Sequence, residues 1–184
     1  MANLFINACV RKEFSRTLII AKKIMEDMKL DYTEIDLHKK HLKPLNIKRL
    51  NKREKLLKEK KLSNKMFEHA KQFAEAENII IAAPYWDLAF PSLLKIYLEN
   101  ICVSNITFMY NEKGPVGLCK AKKLIYITTA GGNIFTDFGY TYVKSLANSL
   151  FGIKNTICYK AENLDVENIT IDNVLQKANV IKVD

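Results

Sequence analysis

Ile79-Ile80-Ile81-Ala82-Ala83-Pro84-Tyr85-Trp86-Asp87-Leu88-Ala89-Phe90-Pro91 is the stretch on which the fold turns. Its first five residues form a continuous apolar run, the pattern of a strand covered on both faces of a parallel sheet. Pro84 ends that strand, because it brings no N–H to the ladder and restricts the residue before it. A short polar-aromatic loop follows. Pro91 then stands where a first helical residue would, and the spacing predicts a helix over Ser92 to Ile101. Tyr85, Trp86, Asp87 and Leu88 are therefore expected at the carboxyl end of a central strand, in the crevice where open α/β sheets take ligands. Large aromatics beside a carboxylate point to a flat ligand. The plainer alternative is a strand-to-helix turn whose Trp caps the core.

Upstream, Leu4-Phe5-Ile6-Asn7-Ala8 reads as a first strand, and Ser15 as the N-cap of a helix with Leu18, Ile19, Ala21, Ile24, Met25 and Met28 on one side. Tyr32 to Leu37 alternates as a second strand. Downstream, Leu124 to Thr129 is a fourth strand, which meets Ala130-Gly131-Gly132 and then a helix bearing Tyr140, Val143, Leu146, Ala147 and Leu150. Thr156 to Tyr159 gives a fifth strand, and Ile171, Val174, Leu175 and Ala178 a last helix. Strands alternating with helices mean a parallel sheet with helices on both faces. In 184 residues, five such units fit an α/β, flavodoxin-like, five-stranded parallel sheet of order 2-1-3-4-5, with residues 1–184 as a single domain.

An apolar share of 48% with six glycines and four prolines argues against a disordered chain. No apolar run approaches the ~20 residues needed to span a bilayer, and Met1-Ala2-Asn3-Leu4 lacks the features of a signal peptide. A cytoplasmic protein without a membrane partner is expected. Cys9, Cys102, Cys119 and Cys158 are scattered, with no C-x-x-C, as single thiols in a reducing compartment would be. His38, His41 and His69 form no convincing ligand set, so no metal is expected.

Charge is uneven. Between Lys39 and Lys65 twelve Lys or Arg face two Glu, a balance of +10, while the whole chain carries +9 and the remainder is −1. Ile47, Leu50 and Leu57 supply an apolar seam, so one amphipathic helix beginning after Pro44 is expected there. Its simplest role is a solvated lid face; attraction of anionic substrates or nucleic acid is the sharper alternative. Aromatic residues are almost absent from the segment, so it offers no stacking platform, and nucleic acid is not the expected partner.

In the expected topology the loops after strands one, three and four open on one edge. The first offers the Ser15 and Thr17 hydroxyls and free N–H groups at a helix start, suited to a phosphate, with Arg11 and Arg16 adding charge. The third offers Pro84 to Leu88. The fourth offers Gly131-Gly132, where main chain can approach a ligand closely. A phosphate seat, a flat wall and backbone donors describe flavin mononucleotide (FMN) better than ATP. Neither G-x-x-x-x-G-K-[ST] nor G-x-G-x-x-G occurs.

Ala82-Ala83-Pro84-Tyr85-Trp86-Asp87, then Leu94-Lys95 and Tyr97, Thr107-Phe108-Met109-Tyr110, Gly114-Pro115-Val116-Gly117-Leu118, Lys122-Lys123 and Thr129-Ala130-Gly131-Gly132 together resemble the FMN-dependent NADH-azoreductases and their quinone-reductase relatives. The resemblance implies a homodimer with FMN near the interface, passing electrons from NADH or NADPH to quinones or azo compounds by an alternating, ping-pong scheme. It implies phosphate contacts from Ser15, Arg16 and Thr17, with Cys9 where a serine is common. It also implies flavin contacts from Tyr85 to Leu88 and from Thr129, Ala130, Gly131 and Gly132, and a cover from Tyr110 of the neighbouring subunit. Asp87 stands where asparagine is usual. No residue is assigned as an acid-base catalyst, since a flavin carries the chemistry. A flavodoxin-like electron carrier is the alternative of the same fold, and a flavin-free binding protein using the basic helix the remoter one.

Overall fold

Alternate residues of a strand point to opposite faces, and a computed structural model, which describes residues 3–183, covers both faces of the sheet. On one face Leu4, Ile6, Ile79, Ile81, Leu124 and Tyr126 pack with Phe67, Phe73, Leu94, Leu98 and Val143. On the other, Phe5, Ile80, Ala82, Ile125 and Ile127 pack with Leu18, Ala21, Met25 and Val174. A strand buried on both sides needs apolar residues at every position, which is why Ile79 to Ala83 shows no alternation.

The strands are β1 (Asn3–Asn7), β2 (Tyr32–Asp36), β3 (Asn78–Ala82), β4 (Phe108–Asn111), β5 (Gly114–Gly117), β6 (Lys123–Thr129), β7 (Thr156–Ala161) and β8 (Ile181–Val183). The main sheet runs β2-β1-β3-β6-β7-β8, and its first five strands are parallel. The expected order 2-1-3-4-5 is thus present, extended by β8, which pairs antiparallel with β7. β4 and β5 form a separate antiparallel hairpin. The chain leaves β1 toward β2 and later returns to the opposite side of β1 as β3. Loops that leave the carboxyl ends of β1 and β3 therefore diverge and open a crevice between them.

The helices are α1 (Arg16–Asp27), α2 (Ile47–Lys58), α3 (Glu68–Glu75), α4 (Ser92–Ile101), α5 (Phe138–Leu146) and α6 (Val174–Lys177). Ser15 caps α1 as expected, its Oγ accepting from Leu18 N at 3.3 Å. Pro91 occupies the cap position of α4, one place before the expected first turn. The basic segment starts its helix after Pro44 as expected, the Asn46 side chain capping it by accepting from Arg49 N at 3.0 Å. It ends at Lys58, short of Lys65, and Lys60 just beyond takes a positive φ of 54°. Its seam also differs: Leu56 is its buried residue, while Ile47 is 73% exposed. The arginines of α2 turn inward, Arg49 to Asn100 and Arg53 to the Cys102 carbonyl. A 3₁₀ turn, Lys65–Phe67, separates α2 from α3. After α5 the chain continues as a π-helical turn, Ala147–Phe151, ended by Gly152 at φ 80°.

Candidate functional site

The start of α1 places two amides, those of Arg16 and Thr17, where no helical carbonyl can accept from them. They border a cleft of about 190 Å³ whose walls include Arg11, Ser15, Thr17, Tyr85, Trp86 and Thr129. Thr17 and Thr129 meet hydroxyl to hydroxyl at 2.6 Å, tying the start of α1 to the end of β6. The wall from the third loop is fixed by Tyr85, whose N–H donates to Thr129 O at 3.0 Å and whose hydroxyl donates to Thr136 O at 3.0 Å. Trp86 is 41% exposed and presents its ring beside this polar end.

Residues 86–89 form a two-residue hairpin: Ala89 N donates to Trp86 O at 2.8 Å and Trp86 N to Ala89 O at 3.4 Å. Both central residues have positive φ, Asp87 at 50° and Leu88 at 66°, as a type I′ turn requires. Asp tolerates that region; Leu does so only at a cost in steric strain. The turn also separates two spaces. Beyond it lies an apolar cavity of about 540 Å³ walled by Ala89, Phe90, Phe138 and Tyr142, with Lys95 at its side. Gly139 lets α5 approach the turn, since a Cβ there would lie 3.1 Å from Ala89 O and 3.0 Å from the Tyr126 hydroxyl.

Of the residues singled out in the sequence, Ser15, Arg16, Thr17, Pro84, Tyr85, Trp86, Thr129 and Gly131 line the one cleft. Asp87 and Leu88 stand exposed at the tip of the adjoining turn, and Ala130 is buried beneath Gly131. Gly132 is open, with nothing within 4 Å of a Cβ placed there. Tyr110 is 67% exposed on β4 and packs edge-on against Phe108 at 5.5 Å. Cys9 is buried next to Ser15 and does not line the cleft: its Sγ donates to Ala82 O at 3.7 Å inside the core, and burial pushes the thiol up to about 12. Cys9 N donates to Asn7 Oδ1 at 2.9 Å, which fixes the main chain as it leaves β1.

Val10, Phe14 and Asp165 complete the lining and were not marked by any motif. Asp165 is the telling one, because it reaches the cleft from 149 positions beyond Arg16. Asn163, Leu164 and Asp165 donate their N–H groups to Gly132 O, Ala130 O and Gly131 O. Gly131 is thus closely approached by protein: a Cβ on it would meet Asp165 Oδ2 at 1.9 Å. The donors fit an FMN-like group. Free amides, hydroxyls and two arginines gather at one end, suited to a phosphate. Tyr85 and Trp86 stand next to them, suited to a flat ring system.

The chain matches the family model described as the flavodoxin-like fold over residues 1–180. An FMN-dependent NADH:quinone oxidoreductase of Clostridium perfringens is 34% identical over 183 residues, 95% of this chain and 92% of that protein. A protein of the same description from Clostridium beijerinckii is 34% identical over 185 residues, with the same coverage of each chain. Among solved structures, an FMN-dependent NADH-azoreductase from Bacillus anthracis in complex with FMN superposes with a TM-score of 0.78 at 27% identity, covering 96% of this chain and 93% of that one.

Proposed function

The chain belongs to the family of the flavodoxin-like fold, and on that premise we propose that it is an FMN-dependent oxidoreductase passing electrons from NADH to quinones or azo compounds. The observation that carries this is the convergence of a phosphate-type donor set and an aromatic wall at the carboxyl ends of β1, β3 and β6. The relatives of similar length carry the activity in their names. Bound FMN supplies hydride acceptance and electron release. The protein's own part is to bind, orient and exclude water.

Each loop has a separate task. Ser15, Thr17 and the first amides of α1 hold the phosphate, with Arg11 and Arg16 balancing its charge. Pro84 to Leu88 border the ring system, with Trp86 limiting access of water from one side. Of Thr129 to Gly132, Gly132 offers main chain to the ring edge, being free of any obstruction, while the carbonyls of the stretch are taken by Tyr85 and by 163–165. No side chain of the site is needed as a general acid, because solvent reaches the exposed side of the cleft.

A homodimer completes this reading. The β4–β5 hairpin exposes Met109, Tyr110, Val116 and Leu118, an apolar surface that suits a second copy and brings Tyr110 to the partner's cofactor. NADPH is the alternative donor, and the cytoplasm the compartment. No helix among the described residues is long and apolar enough to cross a membrane. We read residues 1–184 as one flavin-binding domain.

The absorption spectrum of the purified protein is the direct test. Flavin bands, bleached anaerobically by NADH and restored by a quinone, are expected. A colourless chain that takes up no added FMN ends this reading, and bleaching without steady turnover would favour an electron carrier.

A further inference from the structure

Arg16 is the second arginine of the cleft, and its guanidinium is held from outside α1. Nη2 donates to Asp165 Oδ1 at 2.5 Å and Nη1 to Ile169 O at 2.7 Å. A guanidinium has five N–H donors in a rigid fork, so three remain on a side chain that lines the cleft. The carboxylate is itself placed. Three main-chain hydrogen bonds dock 163–165 on Ala130, Gly131 and Gly132, and the missing side chain of Gly131 makes the room that Asp165 occupies. End of β6, carboxylate and guanidinium thus form one line of contact running to the start of α1.

Resting on the flavin reading above, we propose that Asp165 is a positioning residue, which fixes Arg16 so that its remaining N–H groups meet the phosphate of the cofactor. Two effects of the carboxylate oppose each other. Its charge repels a phosphate, but its side chain is 70% exposed and that repulsion is screened by water and salt. Its hold on Arg16 is not screened away, since the arginine is only 20% exposed and would otherwise lose orientation over several rotatable bonds. Orientation outweighs repulsion, so loss of Asp165 weakens binding of the phosphate.

Flavin binding to the full-length chain, freed of bound flavin by dialysis, is followed by fluorescence with FMN and with riboflavin, which lacks the phosphate. Asp165→Ala is expected to lower affinity for FMN by roughly tenfold, the scale of one charge-assisted hydrogen bond. Riboflavin affinity is expected to stay unchanged. Asp165→Asn keeps an acceptor for Arg16 and should recover most of the loss. Arg16→Gln should match Asp165→Ala, with no further loss in the double variant. FMN binding that is unchanged or tighter in Asp165→Ala overturns the proposal. So does an equal loss for both flavins, which would mark a loop held only for its fold. If the wild-type chain binds neither flavin, the functional reading fails too; wild-type binding with an unaltered FMN-to-riboflavin ratio in Asp165→Ala sinks the role of Asp165 alone.

Discussion

Thr17 Oγ1 lies 2.6 Å from Thr129 Oγ1, both hydroxyls buried, joining α1 to β6 across the floor of the cleft. One hydroxyl donates and the other accepts, so each depends on its partner. Thr129→Val strands the Thr17 hydroxyl and is expected to lower stability by about 1–2 kcal/mol. The double variant Thr17→Val, Thr129→Val removes both polar groups and should recover part of that loss. Urea unfolding of Thr17→Val, Thr129→Val and the double variant measures the coupling; strictly additive losses would show that the pair contributes nothing.

Leu88 holds φ 66° in the Trp86–Ala89 turn. A glycine there relieves the steric conflict, so Leu88→Gly should stabilise the fold or leave it unchanged, against the usual trend for Gly substitutions. A lowered melting temperature would mean that Leu88 packs more than it strains.

Asp87 stands exposed, at φ 50°, in the turn before α4, whose cap residue is Pro91. Its carboxylate remains at the turn that borders the cleft. A negative charge near a ring that gains negative charge on reduction lowers its potential, so Asp87→Asn should raise the flavin midpoint by on the order of 20 mV. Potentiometric titration reads this. An unmoved midpoint would place Asp87 beyond electrostatic reach of the ring.

Two glycines should respond differently to alanine. A Cβ on Gly117 would lie 2.1 Å from Gly152 N and Phe151 C, main-chain atoms that cannot step aside. Gly117→Ala should therefore detach the β4–β5 hairpin from the π-helical turn and lower the melting temperature by several degrees. On Gly131 the obstacle is the exposed Asp165 side chain, which can move. Gly131→Ala should melt nearly as the parent does and lose affinity for FMN instead.

The thiols give a pH signature. Burial pushes Cys9, Cys119 and Cys158 up to about 12 and Cys102 up to about 11, from an unfolded value of 9.0. Below pH 9 these thiols are protonated in both states and cost nothing. Between 9 and 12 the unfolded chain releases protons that the folded chain keeps, so stability falls as pH rises. The urea midpoint should hold to pH 9 and decline above it. Ellman's reagent at pH 8 should find Cys9 and Cys158 unreactive until urea is added.

The parts of the fold set by local chemistry were legible beforehand. Ile79 to Ala83, Pro84 and the α4 span follow from burial on two faces and from proline's missing N–H. Alternation marks the sheet as parallel, and its order 2-1-3-4-5 follows from the fit of five such units to a flavodoxin-like sheet. In α2 the apolar seam is only partly as the spacing marks it: Leu50 and Leu57 are half-buried, Leu56 is the buried residue and Ile47 is exposed. Contacts of Arg49 with Asn100 and of Arg53 with the Cys102 carbonyl fix the face that turns inward. Cys9 reads as a serine-like ligand position, yet its side chain is buried, with the Sγ against Ala82 O. Asp165 left no trace in sequence, since its partner lies across the whole sheet. The convergence of the three loops on one edge followed from the topology, and the cleft lined by Ser15, Tyr85, Trp86 and Thr129 lies there.

β8 bears on how the molecule meets its own kind. Without it, β7 would end the sheet with a row of open N–H and C=O groups over Cys158, Tyr159 and Lys160. A bare parallel edge invites a neighbouring chain to add itself, and the addition can repeat without limit. β8 closes that row with three residues running the other way, all solvent-facing, with Lys182 in the middle. So short and charged an edge is a poor template for further growth. Losing these three residues, which line no part of the cleft, is expected to leave the β7 edge open to pairing with another chain.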